Sequence, residues 1–522
     1  MLGLNNILNN KKIEIVISLS VILIAFIGCS STTIEYPKPA NDAGNESFIL
    51  KKDVFKHGDI NYSADYGTLT VKENRSNPDS RLINLPVIRI HARTKNSNEP
   101  VFGLAGGPGQ SNMNWSPIDS LLFDHDFVMV GYRGVDGSSV LDCPDVAEAI
   151  KDGDGNDILS EHSLIEISKA WKEDIDRLIS EGVDLNGYTI PETIEDMETA
   201  RRKLNYDRIN LLSESYGTRV AYVYGLMHPE NIHRSVMIGI NPPGHFIWNP
   251  KIIDEQINYY SQLWAKDSVM NQKCPDLAAT MKMVLNNMPS KWLLFSINPG
   301  KVKVTAFCML FHRHTAALVF DAFVAAEQGD YSGLAMMSLL YNYTLPSMFV
   351  WGEFATIALS ADYDYWQVEL NELKPPNEIL GAPLNELFWK PLKYGDFPIK
   401  PIPKEYKTLR QSDVETLLLN GNVDFADPPE NTDELLPYLK NGKRIILSEY
   451  GHVGDVRYLH KGMTDKLITN YINTGSADST KVEYVPMNFD VGWGLTGVAK
   501  AGLGIVAVVL LAILTGLYFL II

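Results

Sequence analysis

A short apolar strand that turns into a helix around a single serine is the feature of this sequence that most constrains its fold. The run Leu211–Ala221 begins with two leucines, passes through Ser215 and continues with helical spacing from Tyr216. Residues two positions before and after the serine must be small, because a bulkier side chain would collide with the neighbouring strand or helix. Ser213 and Gly217 meet this requirement. The pattern predicts a nucleophile elbow, a strained turn that lifts the serine hydroxyl above a sheet.

Other segments follow in the order that an α/β-hydrolase fold requires, which is oxyanion loop, nucleophile, acid and histidine. Upstream of the elbow, an apolar strand run leads into a glycine-rich turn at 105–109. Downstream, one strand run leads to Asp424 and another leads to His452, whereas His460 lies in a helical pattern. Asp427 is the rival acid, although an Asp before two prolines more often caps a turn or a helix start.

Together these residues predict a catalytic triad. A serine hydroxyl is a poor nucleophile at neutral pH, so His452 would take its proton and return it to the leaving group. Asp424 would hold the imidazole tautomer and stabilise the imidazolium. The backbone N–H of Tyr216 and one from Gly106 or Gly107 would bind the oxyanion.

Four motifs occur in a fixed order along the chain. They are Gly-Gly-Pro-Gly at 106–109, Arg-Gly-x-x-x-Ser at 133–138, Ser-Tyr-Gly-Thr at 215–218, and Gly-x-x-Asp at 421–424. Over about residues 50 to 475 the chain thus resembles the prolyl and tripeptidyl aminopeptidase branch of the α/β-hydrolases. In that branch the acid segment continues to Thr-Pro, and here Asp427 replaces the Thr. The resemblance implies an α/β fold with a mostly parallel sheet flanked by helices, and a serine peptidase that acts at peptide N-termini.

A large, mainly helical cap is predicted between the two halves of the sheet. The interval from Asn241 to Thr416 is too long for a loop in a compact domain, and its apolar residues recur at helical spacing. The resemblance implies that cap carboxylates receive the free α-amino group of the substrate. One Glu of the related segment is Ala361 here, so Glu353 or Asp362 would bind this part of the substrate.

The two ends of the chain predict export and membrane attachment. Lys11 and Lys12 precede an apolar run that ends in Gly28 and Cys29, which is typical of a signal peptide with a lipobox. We expect lipidation of Cys29, with simple cleavage or an uncleaved anchor as alternatives. The uncharged segment 501–522 is long enough to span a hydrocarbon core of about 30 Å, with a processed lipid-anchor signal as the alternative. The hydrolase would then lie on the extracytoplasmic side of the cell membrane.

These observations predict seven segments in chain order. They are a signal peptide (1–28), a linker (29–48), the first part of the hydrolase core (49–244), the cap (245–408), the second part of the core (409–478), a linker (479–500) and a transmembrane helix (501–522).

Charge and cysteine usage narrow the range of partners. The formal net charge of −17 argues against nucleic acid as a partner, because binding it would require a basic face. Export permits a disulfide between Cys274 and Cys308, with free thiols as the alternative. No cofactor or metal is expected, because His312 and His314 are two residues apart and no Cys or His pair has zinc-site spacing. The expected partners are a peptide or small acyl substrate and the membrane.

The main hypothesis is therefore a membrane-anchored aminopeptidase that acts through an acyl-enzyme. An esterase or amidase on small acyl substrates is the alternative, because the same triad serves any acyl transfer and the cap selects the substrate. A third hypothesis is an inactive binding protein of the same fold. The presence of Ser215, Asp424 and His452 together argues against it.

Overall fold

A computed structural model describes residues 35–95, 97–372, 378–393 and 397–505. Eleven strands are present in this part of the chain: β1 (Ser47–His57), β2 (Ile60–Lys72), β3 (Leu82–Ile90), β4 (Asn98–Leu104), β5 (His125–Val130), β6 (Ile209–Glu214), β7 (Ile232–Ile238), β8 (Lys291–Trp292), β9 (Phe295–Ser296), β10 (Thr416–Gly421) and β11 (Gly442–Leu447). Nine of them form one sheet in the order β1-β2-β3-β5-β4-β6-β7-β10-β11, and β8 pairs with β9 in a separate hairpin.

The predicted α/β fold with a mostly parallel sheet is confirmed. Every neighbouring pair from β5 to β11 in the sheet runs parallel, and the antiparallel pairs are confined to the edge formed by β1, β2 and β3. Successive residues of a strand point to opposite faces. Leu211 therefore packs in one hydrophobic cluster and Leu212 in another on the opposite face. Burial on both faces explains why the central strands are continuous apolar runs.

Helices flank the sheet and fill the insertion. In chain order they are α1 (Pro144–Asp152), α2 (Glu161–Ser180), α3 (Ile190–Lys203), α4 (Tyr216–Met227), α5 (Pro250–Lys266), α6 (Ser268–Lys273), α7 (Leu277–Asn286), α8 (Pro299–Met309), α9 (Arg313–Glu327), α10 (Ser332–Thr344), α11 (Trp351–Glu372), α12 (Pro383–Lys393), α13 (Pro429–Leu435), α14 (Val453–Tyr458) and α15 (Lys461–Thr474). Helices α5 to α12 and the β8–β9 hairpin lie between β7 and β10, in the interval that contains the predicted cap.

The segment 479–500, which the sequence predicts as a linker, packs against the rest of the protein. Arg313 donates a hydrogen bond to the carbonyl oxygen of Val485 at 3.0 Å. The ring of Phe489 lies against that of Trp264, with 5.2 Å between ring centroids. These contacts hold the segment around Val485 and Phe489 on the cap, and residues 495–505 then form a helix.

The predicted signal peptide 1–28, Cys29 and residues 506–522 lie outside the described residues. Within the described ranges, no helix combines the length and the apolar composition needed to cross a membrane.

Cys274 and Cys308 form no disulfide: both are free thiols, which is the alternative that the sequence left open. Cys274 precedes α7, and its Sγ atom lies 3.2 Å from the hydroxyl oxygen of Thr280 in that helix. Cys308 lies on α8 and lines a cavity beside Ser215. Each thiol has surroundings of its own, which the spacing of the two cysteines along the chain did not determine.

Candidate active site

Ser215 sits at a strained turn between β6 and α4. Its backbone is in the left-handed half of conformational space, with φ 51° and ψ −124°, and its N–H donates to the carbonyl of Ile238 at 2.9 Å. Tyr216 is the first residue of α4, so its N–H has no acceptor within the helix. Gly217 is required by close approach, because a Cβ there would lie 2.1 Å from the carbonyl oxygen of Leu104. The local geometry is that of an elbow which exposes the serine hydroxyl.

His452 lies beside the carboxylate of Asp424. The Nδ1 atom of His452 is 2.9 Å from one carboxylate oxygen of Asp424 and 3.0 Å from the other. The backbone N–H groups of Ala426 and Asp427 also donate to Asp424 and orient its carboxylate. The backbone N–H of His452 donates to the carbonyl of Phe311 at 2.7 Å. The Asp427 carboxylate is 3.9 Å from Nδ1, so the geometry favours Asp424 as the partner of the imidazole.

Neighbouring carboxylates make this histidine unusually basic. Burial by itself would lower the pKa of His452, but Asp424, followed by Asp427 and Glu214, outweighs burial and raises the pKa to about 9. Burial, together with repulsion from Asp424, raises the pKa of Asp427 to about 6 despite the nearby His452. A positive charge on the imidazole ring is therefore strongly stabilised at this site.

Asp427 contacts the serine itself, which the sequence did not indicate. The Ser215 hydroxyl donates to the Asp427 carboxylate at 3.2 Å. The side-chain amide of Asn241 donates to the other carboxylate oxygen at 2.8 Å, and the amide of Asn420 donates to the Asp427 carbonyl at 2.8 Å. The sequence named Asp427 only as the rival acid and as a replacement of Thr in the acid segment.

The glycine-rich loop passes directly against the serine. A Cβ on Gly106 would lie 3.1 Å from the Cβ of Ser215, and Gly107 has φ 134°, a conformation that favours glycine. Asn112 holds this loop in place, since its side-chain oxygen accepts the N–H of Ala105 at 2.7 Å and its amide donates to carbonyls of β4 and β5. No sequence pattern pointed to Asn112. Gly106 therefore lies against the Ser215 side chain and Tyr216 follows it directly, and both are among the residues predicted to bind the oxyanion.

The structure does not bring Glu353 and Asp362 to the serine. Glu353 is buried, its pKa is raised to about 8 by burial, and it accepts the N–H of Gly109 at 2.5 Å. Asp362 forms a buried ion pair with Arg219 at 2.8 Å and accepts the N–H of Phe246 at 3.0 Å. Both carboxylates are therefore engaged in contacts that join the cap to the core.

Two cavities open beside the elbow. The smaller, here called the inner cavity, has a volume of about 90 Å³. Its walls are mainly apolar and aromatic, and its residues are Gly107, Pro108, Ser215, Asn241, His245, Phe246, Trp248, Cys308, Phe311, Leu345, Met348, Phe349, Phe354, Leu384, Phe388, Ala426 and Asp427. The larger, here called the outer groove, has a volume of about 620 Å³. It is bounded by Gly106, Glu214 and Arg457, and it shares Met348 and Phe349 with the inner cavity.

The sequence is similar to proteins of known class. Residues 99–454 match the family described as alpha/beta hydrolase fold. Over 211 residues the chain is 27% identical to the tripeptidyl aminopeptidase of Streptomyces lividans and 26% identical to that of Streptomyces coelicolor. Each match spans 37% of this chain and 38% of the relative, so the chain aligns with well under half of either relative.

Similarity to solved structures extends over more of the chain at lower identity. An alpha/beta hydrolase from a Medee basin deep-sea metagenome library is 12% identical, with a TM-score of 0.36 over 76% of this chain and 97% of that chain. A likeness at this level concerns the fold alone. The match over 99–454 covers more than half of the 522 residues, and the chain therefore belongs to the alpha/beta hydrolase fold family.

Proposed function

We propose that this hydrolase is a serine aminopeptidase and that Ser215, His452 and Asp424 are its catalytic residues. The observation that carries the proposal is a serine at a strained elbow beside a buried histidine–carboxylate pair, because the Asp427 carboxylate is 3.2 Å from the Ser215 oxygen and 3.9 Å from Nδ1 of His452. Because Nδ1 of His452 faces Asp424, Nε2 is the nitrogen that would exchange a proton with the serine.

The reaction would proceed through an acyl-enzyme. Ser215 Oγ bonds to the carbonyl carbon of the substrate while His452 takes the hydroxyl proton, and the N–H groups of Tyr216 and of Gly106 or Gly107 bind the oxyanion. Collapse of this intermediate breaks the C–N bond, and His452 returns the proton to the leaving amine. Water then attacks the ester in the same way, which releases the acid and restores Ser215.

Peptide substrates are supported by the resemblance to tripeptidyl aminopeptidases. The match spans only 38% of each relative, so the choice of substrate requires a direct experiment. We expect a fluorophosphonate to label the wild-type protein but not Ser215→Ala, and aminoacyl anilides to be hydrolysed by the wild type alone. Labelling of the Ala variant would refute the assignment of the nucleophile. Hydrolysis of butyrate esters without hydrolysis of aminoacyl anilides would favour the esterase alternative.

We propose that the enzyme acts on the extracytoplasmic side of a membrane. This proposal rests on the sequence of the two ends, namely the lipobox at Cys29 and the uncharged segment 501–522. If both are anchors, removing either one leaves the protein in the membrane fraction, whereas Cys29→Ser combined with deletion of 501–522 releases active hydrolase. Release by deletion of 501–522 alone would show that Cys29 carries no stable anchor.

A further inference from the structure

The inner cavity contains one carboxylate in an otherwise mainly apolar wall. Among the described residues that line it, Asp427 is the only acidic one, and its side chain is 2% exposed. A carboxylate buried in such surroundings is costly unless an opposite charge or hydrogen-bond donors compensate it. Ser215 and Asn241, both uncharged, each donate one hydrogen bond to it, and the imidazole of His452, whose Nδ1 is 3.9 Å away, lies closer to Asp424.

Asn241, a residue of the same wall, carries a second buried acceptor. Asn241 is 93% buried, and its amide nitrogen donates to Asp427 and to the carbonyl of His245. Its side-chain oxygen has no hydrogen-bond partner among the described residues. Buried polar atoms are nearly always paired, so an unpaired acceptor on a residue of the cavity wall points to a ligand that donates. An ammonium group supplies three donors and one positive charge, which suits this pair of acceptors.

The distance from Asp427 to the nucleophile sets the length of the acyl group. The α-amino nitrogen of a residue lies about 2.5 Å from its own carbonyl carbon, by standard backbone dimensions. The Asp427 carboxylate is 3.2 Å from the Ser215 oxygen that would attack this carbon. An ammonium two residues further along an extended chain would lie about 7 Å further away. A carboxylate this close to the serine therefore matches the amine of the residue under attack.

The cavity volume gives the same answer. At about 90 Å³ the inner cavity is far smaller than the roughly 300–1,000 Å³ of pockets that hold drug-sized ligands. It has room for one small apolar side chain between aromatic walls. The outer groove, at about 620 Å³, falls within that range and can take the rest of the peptide.

We propose that the inner cavity binds the α-ammonium group and the small apolar side chain of a single N-terminal residue, with Asp427 and the Asn241 oxygen as the acceptors. The group transferred to Ser215 is then one aminoacyl residue, not a tripeptidyl unit. This inference rests on the proposed aminopeptidase function and makes its substrate class specific. It also assigns recognition of the amine to the acid loop of the core, whereas the family resemblance implies Glu353 or Asp362.

The test compares three p-nitroanilides that carry alanyl, propionyl and Ala-Ala-Ala acyl groups. Alanyl and propionyl differ only in the amine. We expect wild-type kcat/KM for alanyl to exceed that for propionyl by about 30-fold or more, the loss typical of leaving a buried charge unpaired. Asp427→Asn should remove most of this preference by slowing alanyl hydrolysis, while propionyl hydrolysis changes far less. If Asp427→Asn does not fold, Asp427→Thr is the second variant, because Thr is the residue at this position in the acid segment of the related aminopeptidases.

The control is Glu353→Gln, which replaces a buried carboxyl group outside the cavity and should leave the alanyl-to-propionyl ratio unchanged. An unchanged ratio in both Asp427 variants, or faster hydrolysis of Ala-Ala-Ala than of alanyl by the wild type, would overturn the inference and leave the aminopeptidase proposal intact. Failure of the wild type to cleave any of the three anilides would instead overturn the proposed function, and this inference with it.

Discussion

Substitution of Asp424 by Asn tests how the acid acts in the proposed triad. The Asp424 carboxylate accepts two backbone N–H groups besides the imidazole, and the carbonyl oxygen of Asn can keep those two bonds, so we expect the variant to fold. The substitution removes the charge that contributes most to raising the pKa of His452 from 6.5 to about 9. At about 1.4 kcal/mol per pKa unit, this interval corresponds to roughly 3 kcal/mol of imidazolium stabilisation.

The predicted loss of activity depends on pH. Above about pH 9 the His452 imidazole is neutral before the reaction in both proteins, and it becomes charged only in the transition state. The variant then loses the whole imidazolium stabilisation there, which lowers kcat/KM about 300-fold. Near pH 7 the wild-type imidazole is mostly protonated and cannot accept the serine proton. The Asn variant has a lower histidine pKa, so a larger fraction of its imidazole is neutral at pH 7. The difference in kcat/KM between the two proteins therefore becomes smaller. The acidic limb of the rate profile should also move to lower pH.

The measurement is kcat/KM for the uncharged propionyl anilide between pH 6 and pH 10, with circular dichroism as the check on folding. Asp427→Asn is the matched comparison and should shift the limb less, because its carboxylate is 3.9 Å from Nδ1. A loss of the same size at every pH would refute the electrostatic argument for Asp424. A collapse of the plateau in Asp427→Asn with little change in Asp424→Asn would make Asp427 the acid.

Three further substitutions test the packing around the site. Gly217→Ala should destabilise the protein by about 2 kcal/mol or more in equilibrium denaturation, because the new Cβ would lie 2.1 Å from the backbone oxygen of Leu104; unchanged stability would contradict this close approach. Burial raises the pKa of Glu353 from 4.5 to about 8, so between these pH values the folded state retains a proton that the unfolded state loses. The free energy of unfolding of the wild type should therefore fall by up to roughly 5 kcal/mol as the pH rises from 4.5 to 8. Glu353→Gln should lack this fall in the free energy of unfolding, and an equally steep fall in the variant would refute the argument. Asp362→Asn leaves the buried charge of Arg219 unpaired and should cost about 3–5 kcal/mol without altering the preference for a free amine; a stable variant with altered preference would give Asp362 a substrate role.

The elbow could be predicted because its determinants are contiguous in the chain. The apolar strand, the small residues on either side of Ser215 and the helical spacing after it all lie within Leu211–Ala221. Asp424 and His452 could be assigned because each follows a strand of the parallel part of the sheet. The carboxyl ends of parallel strands meet at one edge, so their order in the chain was sufficient to place them in one site.

The contacts of the cap could not be predicted in this way. Glu353 and Asp362 both match positions of a substrate-binding segment, yet one accepts the N–H of Gly109 and the other pairs with Arg219. Which face of a cap helix meets the core depends on how the insertion docks. Likewise, the spacing of Cys274 and Cys308 along the chain did not decide between a disulfide and free thiols.

The sequence by itself determined the α/β fold, the elbow at Ser215 and the order of the acid and the histidine, because these depend on local periodicity and on the geometry of parallel strands. Only the tertiary structure decided that the Asp427 carboxylate lies against the serine. It also decided that the side-chain oxygen of Asn241 is buried without a hydrogen-bond partner among the described residues. It also decided that Glu353 and Asp362 are engaged elsewhere. These outcomes depend on which side chains come into contact when distant segments of the chain pack together. Residue spacing along the chain does not specify those contacts.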